Sequence, residues 1–560
     1  MLDAIETKPT HQDAGDTIAP MIHKNPILHW IVLACLIAFV VFVRVRILTT
    51  PLERDEGEYA YMGQLVLQGV PPYLEAFNMK LPGTSFMYAF FMLLFGQTIF
   101  AIHLGLLIIN VASILLVFLL TKKWFDVSAA IIAATSFGLL SLSPYMLGFA
   151  AHATHFVMVF ALAGIFVLLH AFETEKRKRS AVFFSGILFG CAFLMKQPGI
   201  FFFVFGLSLL GIQGMKEHFP QKRIGQFIVL LTGGFLVPLL VLLLIIYLGG
   251  SFHNFWFWVV QYAFSYGSVV SFSQGMMNLT FMLSLFWNDL PFFCLLIGIG
   301  GTLVIAGKLL DSTKNMILSF GLFSCLALVP SLYFRYHYFI LVLPVCSICI
   351  GGGFYVVQHL LIERWHLVKY FLTLMFVMAV GENVYANRAY YFSLSPVDIV
   401  RRFYTENYFA ESITISNFLI QHTAPDERIA VVGSEPQIFF YTKRRSVSGH
   451  IYMYGMMEPQ PYARRMQEEF IADVERAKPR HLICFWIPWS WLPEEHSDRY
   501  ILSWVKSYAA KYYKRIATVD LIDAASVRYV LGDSARTYKP VSQDFIFVFE
   551  RKGTGGLRTK

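Results

Sequence analysis

Apolar segments close to the length an α-helix needs to cross a bilayer, about 20 residues, recur along most of this chain. Eleven of them lie near 26–47, 98–120, 128–147, 153–172, 181–196, 199–214, 226–248, 289–307, 316–333, 337–357 and 367–386. No soluble core hides that much apolar surface: 56% of the 560 residues are hydrophobic and 14% are charged. The sequence therefore predicts a polytopic α-helical membrane protein. One further apolar stretch, LPGTSFMYAFFMLLFG at 81–96, is too short to cross and reads as an interfacial helix on the membrane surface.

That reading of 81–96 gathers Lys122, Lys123, the run Lys176 to Arg179, Lys216, Lys222, Arg223, Lys308, Lys314, Arg364 and Lys369 on the side of the N-terminus. The positive-inside rule makes this side cytoplasmic. The outer side then receives the first loop, 49–97, the turn at 148–152, a loop at 249–288 and everything after 387. In the membrane part only Arg44, Arg46, Arg54, Lys80, Lys196 and Arg335 are basic on that side. Arg44 and Arg46 read as residues snorkelling from the end of the first helix. The other four ask for a functional account, because charge beside a membrane is expensive without a task. The net charge of +9 is spread over short loops instead of one basic face, which argues against a nucleic-acid partner. Six of the seven cysteines lie inside apolar segments, so neither a disulfide framework nor a zinc knuckle is expected.

Residues 1–25 are polar, contain Pro9 and Pro20, and read as a disordered cytoplasmic tail ahead of the membrane domain at 26–387. After 387 charges become frequent and apolar runs shorten. Strand-like RIAVVG (428–433), HLICFW (481–486), RIATVD (515–520) and FIFVF (545–549) alternate with helical stretches such as PYARRMQEEFIADVERA. Residues 388–560 are thus expected to form a soluble extracytoplasmic α/β domain. The turn IPWSWLP, 487–493, reads as a packed loop, with contact to a glycan or to the membrane interface as the alternative. No Walker loop or G-x-G-x-x-G fingerprint occurs, so nothing argues for a nucleotide.

The first outer loop carries the densest charge, with Arg54, Asp55, Glu56, Glu58 and Lys80 inside ERDEGEYAYMGQLVLQGVPPYLEAFNMKLPG, residues 53–83. The order of RDEGEYA at 54–60, MKLPG at 79–83, FLMKQPG at 193–199 and RYHYFILVLP at 335–344 resembles the GT-C glycosyltransferases. The branch it resembles holds the aminoarabinose transferases, the protein O-mannosyltransferases and the Rgt-like enzymes, and the likeness extends over most of the membrane part. It implies a bacterial inner-membrane enzyme that moves a sugar from a polyprenyl-phosphate donor to an envelope glycan, a lipid such as lipopolysaccharide, or a protein, with inversion. It also implies Asp55, with Glu56 beside it, as the catalytic acidic position and Lys80 as a phosphate-binding lysine. The aminoarabinose enzymes have arginine where Glu58 stands and a second proline where Leu81 stands, departures that bear on the sugar and the acceptor.

The chemistry asks for these residue types. Displacement at an anomeric carbon passes through an oxocarbenium-like transition state while the acceptor hydroxyl loses a proton, so Asp55 is the general-base candidate. Asp55 and Glu56 together can bind a divalent cation such as Mg or Mn. Lys80, Lys196 and Arg335 lie on the correct side to stabilise a departing phosphate. Glu58, Tyr59, His337 and Tyr338 are supporting candidates. Each has a plainer reading: a helix cap for Asp55, headgroup anchors for Lys80 and Arg335, a dipole partner for Lys196, an aromatic belt for Tyr59 and Tyr88, and structural roles for His152 and His155. The alternative function is a transporter or flippase of a lipid-linked sugar. Against it, no inverted repeat is visible and the charges lie at a membrane face instead of the midplane.

Overall fold

The computed structural model describes residues 26–173, 178–359, 366–523 and 526–553; the tail expected at 1–25 lies outside them. Helix α1 (Pro26–Arg46) is followed in the first loop by α2 (Arg54–Leu67) and α3 (Gly83–Phe95). Then come α4 (Ile99–Trp124), α5 (Val127–Leu142), α6 (Ala153–Ala171), α7 (Lys178–Met195), α8 (Ile200–Lys216) and α9 (Gln221–Leu248). The bundle ends with α10 (Phe252–Gly267), α11 (Phe272–Asp289), α12 (Pro291–Ala306), α13 (Asp311–Leu326), α14 (Leu343–His359) and α15 (His366–Ala386). Each of the eleven expected spans overlaps a helix, but the one expected at 316–333 is helical only to Leu326 and the α-helix in the one at 128–147 ends at Leu142. Among the described residues, α1, α4, α6 to α9 and α15 are long and apolar enough to cross a membrane alone, and α3, α5, α12 and α14 are shorter apolar helices. The chain is a multi-pass membrane protein.

Two expectations are corrected. The segment 249–288, read as a loop, is the helix pair α10 and α11, bent by 84° at its break. Its helices escape a hydropathy window because they alternate apolar and polar faces: α11 exposes Phe272, Met276 and Phe281 between Ser, Asn and Gln residues. Arg44 and Arg46 do not snorkel. Arg44 is buried, donating to Asn110 Oδ1 (2.9 Å) and the Gly148 carbonyl (3.1 Å). Arg46 gathers the carbonyls of Tyr390, Tyr391 and Leu394 at 2.6–3.2 Å, satisfying acceptors where the chain leaves α15.

The C-terminal part builds a five-stranded sheet in the order β1-β2-β5-β3-β4, from β1 (Ala430–Val432), β2 (His481–Trp486), β3 (Tyr513–Leu521), β4 (Val527–Leu531) and β5 (Phe545–Arg551). The pair β1·β2 is parallel and the other pairs are antiparallel. Strand alternation divides its side chains between two cores. Ala430, Val432, Leu482 and Cys484 face the helices Ala463–Ala477 and Tyr500–Tyr512. Val431, Ile483, Phe485, Ile546 and Val548 join a core that runs without a break into the helical bundle. The sheet is therefore packed on both faces, and the apolar core on one of them continues through the domain's own helices into the helical bundle.

Helix α2 is the hinge pin of that packing. Gly57 sits so close to the domain that an added Cβ would lie 2.6 Å from Gln437 N. One turn before it, Arg54 pairs with Glu435 (2.9 Å) and donates to the Ser434 carbonyl (2.9 Å), and two turns after it, Gln64 donates to the Phe440 carbonyl (3.1 Å). Tyr61 accepts from Ser446 N (2.9 Å), and Glu75 bridges Arg428 and Arg445 at 2.9 and 3.2 Å. Residues 54, 57, 61 and 64 follow helical spacing, so one face of α2 is committed to the α/β domain.

Candidate functional site

The remaining faces of α2 divide its acids. A capping box starts the helix: Glu53 accepts from Glu56 N at 2.8 Å and Glu56 reaches back to Glu53 N at 3.4 Å. Glu56 then turns into the bundle, where Oε1 accepts from Ala151 N (2.6 Å) and meets His103 Nε2 (3.0 Å). Its carboxylate ties α2 to α4 and to the turn before α6, and it lines neither of the two cavities of the site. The expected pairing of Asp55 with Glu56 on one reactant or one metal is not what the fold makes, because neighbours on a helix point about 100° apart.

Asp55 and Glu58, three residues apart, share the third face and meet Lys80. The ammonium donates to Asp55 Oδ1 at 3.0 Å and to Glu58 Oε2 at 2.9 Å, and it lies 4.8 Å from the Tyr59 ring centroid. The MKLPG segment is held for this contact by Asn78 Oδ1 on Lys80 N (2.9 Å), Tyr73 on the Lys80 carbonyl (2.8 Å) and Gln197 on the Met79 carbonyl (2.8 Å). Burial pushes the Asp55 carboxyl up, but Lys80, His152 and Arg335 together draw it well below the usual carboxylate range. Burial would lower Lys80, yet the two carboxylates hold it well above its ordinary value; burial keeps Glu58 raised.

Two further cations face the same space without a carboxylate partner among the described residues. Lys196, in the break between α7 and α8, sits 3.8 Å above the Tyr338 ring, and burial with Lys80 alongside brings its ammonium down to about 7. Arg335 precedes the short turn Tyr336–Leu341 and lies 5.1 Å from the Tyr333 ring. His337 stacks on His152, with centroids 4.0 Å apart.

A cavity of about 280 Å³ is lined by Asp55, Glu58, Lys80, Lys196, Arg335 and Tyr338, closed by Trp258, Tyr262 and Tyr266 of α10. A second, of about 440 Å³, lies on the other side of Asp55. Asp55, Arg335, His337, Tyr452 and Tyr454 line both, so the two volumes meet there. The α/β domain supplies part of the wall: Tyr452, Tyr454 and Glu458 follow Gly449, whose carbonyl accepts from Phe77 N (2.8 Å), and Glu458 accepts from Tyr262 (3.0 Å). Nothing in the sequence marks these residues, which lie about 400 positions from Asp55. His152, read as structural, also lines the second cavity.

Among the described residues one group has metal-ligating geometry: Asp55, His152 and His337, with ligand atoms within 4.8 Å of one another. Burial, against the pull of Asp55, lowers His152 to about 4, so its imidazole is neutral, and its Nε2 is buried with no hydrogen-bond partner. Such a donor set suits a divalent transition metal better than Mg.

The family described as dolichyl-phosphate-mannose-protein mannosyltransferase matches residues 79–247. Comparison with curated protein sequences gives no match. Among solved structures, the chain is similar to ArnT from Cupriavidus metallidurans bound to undecaprenyl phosphate, at 12% identity and TM-score 0.59, covering 94% of this chain and 98% of that one. It is also similar to the Archaeoglobus fulgidus oligosaccharyltransferase in complex with zinc and sulfate, at 14% identity and TM-score 0.50, covering 89% of this chain and 73% of that one. The family and both neighbours are GT-C glycosyltransferases, and this multi-pass membrane protein has the GT-C fold.

Proposed function

We propose that the protein is an integral-membrane glycosyltransferase that moves a sugar from a polyprenyl-phosphate donor to an acceptor hydroxyl, with inversion. The observation that carries this reading is the position of Asp55 where two cavities meet, one of them rich in cations. Lys196 and Arg335 are half-buried basic groups that form no ion pair with a carboxylate among the described residues, and a phosphate supplies a partner. The undecaprenyl phosphate bound by ArnT is a ligand of this chemistry. Lys80 already faces two carboxylates, so its first task is to hold Asp55 and Glu58, with the phosphate drawn chiefly to Lys196 and Arg335. In this reading the cavities open on the extracytoplasmic side of a bacterial inner membrane.

In the reaction the acceptor oxygen forms a bond to C1 of the sugar while the bond from C1 to the phosphate oxygen breaks. Polyprenyl phosphate leaves with the electron pair, and the acceptor proton passes to Asp55. A carboxylate of low basicity suffices, because the acceptor oxygen becomes strongly acidic only as its bond to C1 forms. Attack from the face opposite the phosphate inverts the anomeric centre. Asp55, His152 and His337 are the residues that would hold a divalent ion, which would supply charge neutralisation at the phosphate.

Transfer by purified protein in lipid, given a panel of polyprenyl-phosphate sugars and an envelope extract, tests the reading. Asp55→Asn is expected to lower the rate by about 10²- to 10⁴-fold while retaining undecaprenyl phosphate binding. Donor binding without turnover in either protein would favour the transporter.

A further inference from the structure

The turn IPWSWLP places its two tryptophans differently. Trp491 is buried, its indole donating to the Phe485 carbonyl at 2.8 Å. Trp489 is 45% exposed and lines the second cavity. It is nevertheless held: its indole N–H donates to Glu406 Oε2 at 2.6 Å, and Tyr454 donates to its carbonyl at 2.7 Å. An exposed aromatic ring with its polar atom satisfied and its position fixed from two sides is a preorganised flat platform.

The polar character of the same cavity narrows what it accepts. The Tyr404 hydroxyl is buried without a partner and the residue lines it; an unsatisfied group of this kind calls for a ligand hydroxyl. Its charge is poor for an anion. Glu53 and Asp55 are acidic, and Arg54 is already engaged by Glu435, the Ser434 carbonyl and Asn407. Only Arg335, shared with the donor-side cavity, remains as a cation. Aromatic faces, an open hydrogen-bonding atom and little positive charge are complementary to a neutral sugar, whose C–H faces stack and whose hydroxyls donate and accept.

We propose that the second cavity is the acceptor subsite and takes a neutral saccharide, with Trp489 as the stacking platform at its mouth. The word acceptor rests on the transferase reading above; the saccharide does not. The full chain in detergent is titrated with neutral trisaccharides of glucose, mannose and galactose, a phosphorylated glycolipid and a threonine-containing peptide, with binding read by saturation-transfer NMR and calorimetry. At least one neutral trisaccharide is expected to bind, with affinity falling about tenfold in Trp489→Ala and less in Trp489→Phe. Undecaprenyl phosphate is expected to bind all three proteins alike. Absence of trisaccharide binding, binding unaffected by Trp489→Ala, or a Trp489-dependent preference for the peptide or the phosphorylated glycolipid would each overturn the proposal. Trisaccharide binding through Trp489 by a protein that binds no undecaprenyl phosphate would uphold the saccharide site and overturn the transferase reading.

Discussion

Binding of undecaprenyl phosphate, the lipid that the proposed reaction releases, is expected to weaken with rising pH, and Lys196 sets the slope. In the empty cavity burial, Lys80 and Arg335 oppose its charge and Asp55 favours it, leaving the ammonium at about 7 in place of the ordinary 10.5. A phosphate monoester is fully ionised above pH 7, its second pKa lying near 6, and its charge restores the ammonium toward the ordinary value. Binding therefore takes up a proton wherever the empty site has lost one. At pH 7 about half the empty sites carry the proton, and at pH 9 about one in a hundred, so the apparent Kd for undecaprenyl phosphate rises about fiftyfold, or about 2.3 kcal/mol. Binding measured between pH 7 and 9 on protein in nanodiscs checks this. Lys196→Arg, charged throughout, should bind with a flat profile; Lys196→Met should bind weakly and also flatly. A wild-type Kd constant within about twofold, against the expected fiftyfold, or a slope that survives in Lys196→Met, would refute the assignment.

Gly57→Ala should loosen the α/β domain, since the new methyl meets Gln437 N at 2.6 Å; a loss of about 1–3 kcal/mol is expected in thermal unfolding, with faster proteolysis after residue 387. Arg54→Met strands the Glu435 carboxylate, itself buried, and should cost about 3–5 kcal/mol. The double variant Arg54→Met, Glu435→Gln should recover most of that loss, and an equal loss in both would show that the charge pair is not the cause.

The spans were legible because hydropathy over a window of helix length records burial in lipid directly, and four strands because their apolar runs are short and bounded by turns. Strand β4 escaped: VRYVL is an edge strand, paired only with β3 and largely exposed, and Arg528 interrupts its pattern. Arg44 and Arg46 were misread because sequence shows a charge at a helix end but not the carbonyls that receive it. In the site, Asp55, Glu58, Lys80, Lys196 and Arg335 stood out as charges on one side of the membrane, and the fold gathers them around one cavity. Glu56 shared their signal yet points elsewhere, since adjacent helical residues diverge. Tyr452 and Tyr454 carried no signal, because aromatic residues in a soluble domain are ordinary and only tertiary packing brings them to Asp55; Trp489 showed only as part of the IPWSWLP turn, with nothing to tie it to the site.

The continuous core between sheet and bundle constrains how substrates come and go. Opening the α/β domain like a jaw would break the contacts of Arg54, Gly57, Tyr61 and Gln64 along α2 and open the apolar core they share, so rigid-body closure is disfavoured. The spacing between Asp55 on one side and Tyr452 and Tyr454 on the other is thereby fixed as in a machined slot. In the proposed reaction a lipid tail and an acceptor thread into that slot, and turnover waits on their sliding in and out.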